Sequence, residues 1–263
     1  MKKIAILGSD KRSKYLRELY IQNNVKLYEY HIADIVIAPI PFSKDGIKIT
    51  GENILVSDFV RGIKGKILLS GAYSSESKKL LGDVEYYDLM CEDSLAILNA
   101  IPTAEGAIFE AMKNTDTTLC NSNCLVMGYG RIGKVLAKML SGIGANVYCE
   151  ARKKKDLANI KAMGYNEVDI YELESVLPKM DYIFNTIPVV ILDENMLKYI
   201  NKNALVIDLA SNPGGVDFEN ARQLDLNVVW ALALPSKVAP KTAAIYLKDT
   251  IDNFFSNNDI TLF

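Results

Sequence analysis

Histidine is almost absent from this sequence, and the few cysteines lack the spacing of a metal site. The 263 residues contain one histidine, His31, and four cysteines, Cys91, Cys120, Cys124 and Cys149. Cys120 and Cys124 lie one residue too far apart for a C-x-x-C motif, so we expect no bound metal. We expect reduced thiols, of which Cys124 and Cys149 are small buried hydrophobes.

Strong charge and long apolar runs are also missing. The formal net charge is −2 at pH 7, which disfavours a nucleic-acid partner held by phosphate neutralisation. No apolar run approaches the length that spans a membrane, so we expect no membrane insertion. The basic start, Met1 to Lys3, leads into apolar residues that stop at Gly8, which predicts a first β-strand and not a signal peptide.

The chain does contain an alternation of strand and helix patterns. Apolar residues make up 49% of the sequence, enough for one large α/β domain or two smaller ones. Parallel strands joined by helices predict doubly wound parallel sheets. The first strands are predicted at Lys3–Leu7, Lys26–Tyr30, Ala33–Ala38, Lys66–Ser70 and Glu85–Leu89, with a helix at Lys11–Gln22.

A glycine turn between two predicted strands is the strongest motif. Gly128-Tyr129-Gly130-Arg131-Ile132-Gly133 follows the apolar run Cys124–Met127 and precedes a helix pattern. In this G-x-G-x-x-G spacing the first glycine makes a tight turn, the second admits a pyrophosphate, and the third lets helix and strand pack closely. The helix N-terminus attracts phosphate. We therefore predict a dinucleotide site that includes Gly128, Gly130, Arg131, Ile132 and Gly133.

The end of the next predicted strand indicates which dinucleotide binds. Glu150 lies about 20 residues beyond the turn, near the place where an acid holds the ribose of NAD. Arg152 and Lys153 follow it and suit the 2′-phosphate of NADP, which a guanidinium binds through paired charge-assisted hydrogen bonds. We predict NADP, with NAD as the alternative, and treat Lys154 and Lys155 as solvated.

Two later strands predict the remainder of the cofactor site. Ligands bind at the carboxyl ends of parallel strands, so the residues that follow these strands are expected to face the nicotinamide. After the strand at Asp181–Asn185 these residues are Thr186 and Pro188, and after the strand at Ala204–Asp208 they are Leu209, Ala210 and Ser211. For Ser211 the alternative is a hydroxyl that caps its own turn.

The segment Asn114–Asn121 is polar and threonine-rich, which makes it the best domain boundary. We predict an N-terminal substrate and partner domain over residues 1–118 and an NAD(P)-binding Rossmann domain over 119–239. A long amphipathic helix follows, within residues 240–263. A separate helix is predicted to begin at Pro102, with Thr103 and Glu105 in its first two turns.

Five blocks of sequence occur together in one order: N-A-I-P-T-A-E-G-A, M-G-Y-G-R-I-G-K, N-T-I-P, D-L-A-S-N-P-G-G-V-D-F and W-A-L-A-L-P-S-K-V-A-P-K-T-A. In these blocks the chain resembles the A subunit family of dipicolinate synthase over nearly its whole length. Ser236 departs from the pattern, since a glycine is expected at that position.

The resemblance implies a relative of formate and glycerate dehydrogenases. Its fold would be an N-terminal flavodoxin-like half and a Rossmann half, with the C-terminal helix returning to the first. Its reaction would be NADP-linked oxidation of a dihydro- or hydroxytetrahydrodipicolinate to dipicolinate in the cytoplasm of a sporulating mother cell. It also implies a partner, a flavoprotein-like B subunit, and we expect several copies of the chain to assemble.

For the two carboxylates of such a substrate, Arg12, Lys237 and helix-start donors near Thr103 are the candidates. For the proton, Glu105 and Asp10 are the candidates. Ser211 is a further candidate for contact with cofactor or substrate. A solvated surface role is the alternative for Arg12 and Lys237, and an acid near a helix start is also a common dipole partner.

Two other functions share this pattern. A 2-hydroxyacid dehydrogenase would have the same architecture, but that chemistry needs a histidine late in the chain, and His31 lies early. A regulatory protein that binds NADP without turnover would explain the lack of a clear acid or base.

Overall fold

A computed structural model describes residues 1–262. Contacts divide the chain into two compact units, Met1–Asn99 with Pro235–Phe263, and Ala100–Leu234. The second unit begins earlier than the predicted boundary at residues 118 and 119, because the helix that precedes this boundary contributes side chains to the second core. These side chains are Ala104, Ala107, Ile108 and Ala111.

The first unit contains a parallel sheet of four short strands. They are β1 Ile4–Ile6, β2 Ile35–Ile37, β3 Ile67–Ser70 and β4 Glu85–Asp88, and they lie in the order β1-β2-β3-β4. The residues of β1 and β2 are all buried, as expected for strands covered on both faces.

The predicted strand at residues 26–30 is reduced to one bridge. Only Leu27 pairs with β1, through a parallel bridge to Ile4. The cause is Arg17, whose Nη1 donates to the carbonyl oxygens of Ile6 and Gly8 at 3.3 and 2.8 Å. A longer neighbouring strand would need the Ile6 carbonyl for its own ladder. Because Leu27 lies beside β1, the strand order agrees with the flavodoxin-like half that the resemblance implied.

Eleven α-helices are described in residues 1–262. They are α1 Lys11–Gln22, α2 Val56–Gly62, α3 Ser75–Leu81, α4 Asp93–Lys113, α5 Arg131–Ile143, α6 Lys154–Ala162, α7 Leu173–Val176, α8 Glu194–Leu197, α9 Phe218–Gln223, α10 Leu234–Val238 and α11 Pro240–Asn257. Short 3-10 helices lie at Leu89–Cys91, Ile170–Glu172 and Leu177–Lys179.

The last helix completes the first unit, as predicted. Ala244, Leu247, Ile251 and Phe255 of α11 are buried in one cluster with Leu16 and Tyr20 of α1 and with Ile4 and Ile6 of β1. The Tyr20 hydroxyl also donates to Asp252 Oδ1 at 2.7 Å. The sheet of this unit is therefore covered by side chains from both ends of the sequence.

The second unit has a six-stranded parallel sheet. Its strands are β5 Asn123–Met127, β6 Asn146–Ala151, β7 Asn166–Asp169, β8 Tyr182–Asn185, β9 Leu205–Asp208 and β10 Asn227–Trp230, in the order β10-β9-β8-β5-β6-β7. The order reverses between β5 and β8, which is the Rossmann arrangement. The fold predicted for both halves of the chain is confirmed.

Two buried clusters cover the two faces of this sheet. One face packs on α5 and includes Val126, Val147, Phe184 and Ile207. The other face packs on the short helices and includes Leu125, Met127, Ile183 and Val206. Successive residues of each strand alternate between the two clusters, as the pleat requires.

The helix α4 begins at Asp93 and not at Pro102, so the predicted helix start is wrong. Pro102 lies inside the helix, and the apolar spacing through Leu95 and Ala100, both buried, carries the helix across it. By length and mean composition α4 would be apolar enough to cross a membrane, although polar and charged residues interrupt its apolar stretches. Composition alone is weak evidence, because a core helix of a soluble protein passes the same test.

Candidate functional site

The glycine turn joins β5 to α5 at the carboxyl edge of the six-stranded sheet. Gly128 has a φ of +88°, a conformation that side chains disfavour. A Cβ on Gly133 would lie 1.9 Å from the carbonyl oxygen of Gly128, whereas a Cβ on Gly130 would meet nothing within 4 Å. The turn therefore needs Gly128 and Gly133 for its own folding and leaves an open face at Gly130.

The start of α5 suits an anion. Gly130 is the N-cap residue, and no side chain within the described residues caps this helix. The first-turn N–H groups and the positive end of the helix dipole thus face the open side of the turn. These features fit the pyrophosphate of a dinucleotide. Arg131 is exposed at the first helical position, and Ile132 is partly buried against the core.

Glu150 points into the protein and not toward a ribose. Its side chain is 1% exposed, and its Oε2 accepts from the Gly128 N–H at 3.0 Å. Oε1 is buried without a hydrogen-bond partner among the described residues. Burial raises the pKa of the Glu150 carboxyl, while the Gly128 N–H and Arg152 oppose that shift.

The suggestion that Glu150 lies where the ribose acid falls is therefore wrong. The reason is the strand alternation: Cys149 and Ala151 face the cluster that contains α5, so Glu150 faces away from that helix. Ala151, which cannot accept a hydrogen bond from a ribose hydroxyl through its side chain, takes the position on the α5 side. Arg152 and Lys153 follow it and are exposed.

The ends of β8 and β9 are joined by two buried polar side chains. Asn185 and Asp208 are both 0% exposed, and Asn185 Nδ2 donates to Asp208 Oδ1 at 2.8 Å. Asp208 also accepts from the N–H groups of Ala210 and Gly215, at 3.0 and 2.8 Å. Asn185 bonds both the N–H and the carbonyl of Ile187. Together these bonds hold the two turns that follow the strands.

Of the predicted residues in these turns, some are accessible and others are committed to the fold. Ser211 and Pro188 are exposed, and Thr186 is half-buried with its hydroxyl donating to the carbonyl of Met127 at 2.9 Å. Leu209 and Ala210 are buried, and the Trp230 indole N–H donates to the carbonyl of Ala210. Ser211 is thus the predicted residue of the second turn whose side chain is open.

The turn after β1 holds the candidate arginine of the first unit. Arg12 is 9% exposed, and its Nη2 donates to the carbonyl oxygen of Ile40 at 2.5 Å. Burial lowers the pKa of the Arg12 guanidinium, and the Asp10 carboxylate opposes that shift. Asp10 caps α1, since it accepts from the N–H groups of Arg12 and Ser13 and from the Ser13 hydroxyl. Asp10 is therefore engaged as a cap.

The other predicted residues lie on exposed helical positions. Lys237 is exposed in α10, within the first unit, and Glu105 is exposed in α4, within the second. Because α4 begins at Asp93, its N-terminus is far from Thr103, and the prediction of helix-start donors near Thr103 is wrong. The backbone there is helix interior.

Two of the cysteines are buried, and the histidine ring packs against a tyrosine. Cys124 and Cys149 are buried, as predicted, and burial raises the pKa of each thiol to about 12. His31 lies in the first unit with its ring 4.8 Å from that of Tyr30. Within residues 1–262, no group of three or more His, Cys, Asp or Glu side chains could hold a metal ion.

Comparison with known proteins agrees with this geometry. Residues 101–213, which include the glycine turn and the end of β9, match the family described as D-isomer specific 2-hydroxyacid dehydrogenase, NAD binding domain. The match supports a nicotinamide cofactor and an oxidoreductase-like role. A curated relative, the dipicolinate synthase A subunit of Bacillus subtilis, is 38% identical over 164 residues, or 62% of this chain and 55% of the relative.

The chain is similar to the dipicolinate synthase A subunits. The crystal structure of the A subunit from Bacillus halodurans matches with a TM-score of 0.88 and 28% identity, over 97% of this chain and 98% of the other. The Bacillus subtilis structure matches with a TM-score of 0.87 and 28% identity, over 98% and 96%. The family resemblance inferred from the five sequence blocks is confirmed. The sequence alignment spans just over half the length of the curated relative.

Sequence reasoning missed Glu150, Asn185 and Asp208 as residues that hold the turns at the carboxyl edge of the sheet. A signal was present: Asn185 and Asp208 are the polar last residues of apolar strands. A polar group at a buried position needs a partner, and the nearest partners are the backbone groups of the following turn.

Proposed function

We propose that this chain is a dipicolinate synthase A subunit that oxidises a dihydro- or hydroxytetrahydrodipicolinate to dipicolinate with NADP. The observation that carries the proposal is the turn Gly128–Gly133, open at Gly130 and uncapped at α5, in a chain similar along its length to the dipicolinate synthase A subunits of two Bacillus species. The B subunit is the proposed partner, and the mother cell of a sporulating bacterium is the proposed setting.

The choice of NADP over NAD rests on the end of β6. NAD recognition uses an acid that accepts from the adenosine ribose hydroxyls, but Glu150 is buried and engaged with Gly128. Ala151 leaves room on the α5 side, and Arg152 is exposed beside it. A guanidinium at that place suits the 2′-phosphate of NADP, with Lys153 as a second positive charge.

The proposed reaction needs modest help from the protein. When bound, an oxidised nicotinamide supplies the hydride acceptor. A hydroxytetrahydrodipicolinate first loses water to give the dihydro form, which then loses one hydride and one proton as its ring becomes aromatic. The chain has to bind the two carboxylates, orient the ring and take the proton. Because aromatisation favours the product, a weak base such as Glu105 or water suffices for the proton.

Three residues are candidates for contact with the substrate. Arg12 offers a buried guanidinium whose Nη2 contacts Ile40, leaving other N–H groups for a carboxylate. Lys237 offers an exposed ammonium, and Ser211 an exposed hydroxyl at the end of β9. We assign Arg12 and Lys237 to the carboxylates and Ser211 to contact with cofactor or substrate.

A regulatory protein that binds NADP without turnover is the second candidate. Two observations favour it: Asp10 is used as a helix cap, and Glu105 is an exposed residue in the middle of α4. A 2-hydroxyacid dehydrogenase is disfavoured, since His31 lies in the first unit against Tyr30, outside the residues that match that family's cofactor domain.

The assay that tests the proposal supplies freshly made precursor with NADP or NAD to the purified chain, alone and with its B subunit. Product is followed by the ultraviolet absorbance of the aromatic ring. Dipicolinate formed faster with NADP than with NAD is the expected result. NADP binding without product in any combination would identify the regulatory function instead. Product with a 2-hydroxyacid, and none with the precursor, would identify a dehydrogenase.

Assembly of several copies is also proposed. The helix α4 leaves Ile97, Phe109 and Met112 at least half exposed, and uncovered apolar side chains along one helix favour association. Sedimentation of the purified chain measures the number of copies, and a monomer at all concentrations would contradict this part of the proposal.

A further inference from the structure

Three polar residues occupy one row across the six-stranded sheet. Glu150 pairs in register with Met127, Met127 pairs with Asn185, and Asn185 pairs with Asp208. We call Glu150, Asn185 and Asp208 the edge row. They are the last or next-to-last residues of their strands, and each is at most 1% exposed.

All three side chains of the edge row lie on the same face of the sheet. Their chain neighbours Cys149, Phe184 and Ile207 belong to the cluster that contains α5, so alternation directs the edge row to the opposite face. On that face the row below includes Leu125, Ile183 and Val206, which are apolar and buried. In β8 and β9 the polar side chains of this face thus lie only at the level where the strands end.

Each residue of the edge row accepts a hydrogen bond from a backbone N–H of a turn at the carboxyl edge of the sheet. Glu150 accepts from Gly128 N–H, Asn185 Oδ1 from Ile187 N–H at 3.1 Å, and Asp208 from the N–H groups of Ala210 and Gly215. Three turns at the carboxyl edge are held in this way, those after β5, β8 and β9.

Close packing reinforces these bonds at the glycines. A Cβ on Gly215 would lie 2.1 Å from Asn185 Nδ2, and a Cβ on Gly214 would lie 2.7 Å from Asp208 Oδ2. The turn after β9 therefore packs directly against the Asn185 amide and the Asp208 carboxylate. A shift of either side chain would have to move this backbone.

We infer that the edge row positions the cofactor indirectly, through the turns that it holds in place. Glu150 fixes the turn that binds the pyrophosphate, and the Asn185–Asp208 pair fixes the turns beside the reacting ring. None of the three touches cofactor or substrate, since all are buried, so they act as positioning residues. The inference rests on the proposed function only for the identity of the cofactor.

Substitutions at the two ends of the edge row are expected to affect NADP affinity and kcat differently. Glu150→Leu leaves the buried Gly128 N–H without its acceptor, so the turn moves away from the geometry that binds the pyrophosphate and NADP affinity is expected to fall about 5–150-fold. Glu150→Gln keeps an oxygen for Gly128 and is expected to bind NADP within about twofold of the wild type. Asp208→Asn sets an N–H against the N–H of Ala210 or Gly215, so kcat falls about tenfold or more while NADP affinity changes less.

The test measures NADPH fluorescence titrations, kcat and thermal unfolding for these three variants. Leu125→Met is the matched control, because it is buried on the same face one row below and contacts none of the turns through a polar group. Rescue of affinity by Gln but not Leu at position 150, with loss of kcat in Asp208→Asn, supports the inference. Equal binding and turnover in all folded variants would overturn it.

Amide hydrogen exchange in the wild type keeps the inference testable if a variant does not fold. The N–H groups of Gly128, Ile187, Ala210 and Gly215 are expected to exchange slowly without cofactor, because buried acceptors hold them. Fast exchange at all four would overturn the inference. Wild-type protein that binds neither NADP nor NAD would contradict both the proposed function and the positioning of a cofactor, whereas slow exchange at these four N–H groups would still show that the edge row holds the three turns.

Discussion

The Cβ position of a side chain added to Gly133 lies 1.9 Å from the carbonyl oxygen of Gly128. Carbon and oxygen cannot approach so closely, so a side chain at Gly133 would force the backbone of Gly128 to move. The middle glycine, Gly130, has open space around it. This contrast separates the residues that build the turn from the residue that admits a ligand.

Gly130→Ala is expected to fold normally and to lose cofactor binding. Its φ of −85° suits alanine, whereas the added methyl group occupies the space of the pyrophosphate. We expect an unchanged unfolding temperature and about a tenfold or greater loss of NADP affinity. Gly133→Ala is the comparison and is expected to lose about 1–3 kcal/mol of stability as well. Normal NADP binding by Gly130→Ala would show that no dinucleotide lies on this turn.

Arg152→Ala is expected to weaken NADP and to leave NAD unaffected. Hydrogen bonds to a charged group contribute about 1.5–3 kcal/mol, so the loss in NADP affinity is about 10–150-fold. Titration calorimetry with both cofactors measures the effect. Lys155→Ala is the control, since Lys155 is also exposed and basic in the same segment. An equal loss for NAD and NADP would point to a general phosphate contact and not to recognition of the 2′-phosphate.

Glu150→Gln is expected to flatten the dependence of stability on pH. The pKa of Glu150 is raised in the folded protein, so between its ordinary value and the raised value the folded state holds more protons than the unfolded state. The stability that this group contributes is present below its ordinary pKa and is lost as pH rises through the folded pKa. Urea midpoints of wild type and variant across this range measure it, and parallel curves would mean that Glu150 titrates normally.

Two of the four thiols are expected to react with a thiol reagent in the folded protein. Cys91 and Cys120 are exposed, while Cys124 and Cys149 are buried with pKa values raised to about 12. A thiolate is the reactive form, so the buried pair should react only after unfolding. Absorbance titration at about pH 8, near the ordinary pKa of a thiol, with and without denaturant gives the two counts. Rapid reaction of all four in the native state would contradict the burial of β5 and β6.

The parts of the fold that were predicted well are those with a strong local signal. The apolar run of β5 and the glycine spacing after it locate strand, turn and helix without reference to the rest of the chain. The segment 26–30 has a strand pattern too, but Arg17 takes the carbonyl that its ladder needs. Arg17 belongs to α1, so the sequence of residues 26–30 alone does not show that this carbonyl is already engaged.

The orientation of Glu150 was missed for a similar reason. A strand buried on both faces is apolar at nearly every position, so its sequence does not tell which residues face α5. Counting residues from Gly128 places the acid only to within one position, and one position reverses the side chain. The exposed pair Arg152 and Lys153 did not suffer from this ambiguity, because residues beyond the strand end are not bound by its pleat.

The packing of α11 against α1 has a consequence for the order in which the protein can form. The four side chains that α11 adds to the first core are synthesised after the whole of residues 100–234. The six-stranded unit is therefore synthesised in full before the four-stranded unit has its last helix. Leu16 and Tyr20 of α1 therefore stay uncovered until α11 has been synthesised.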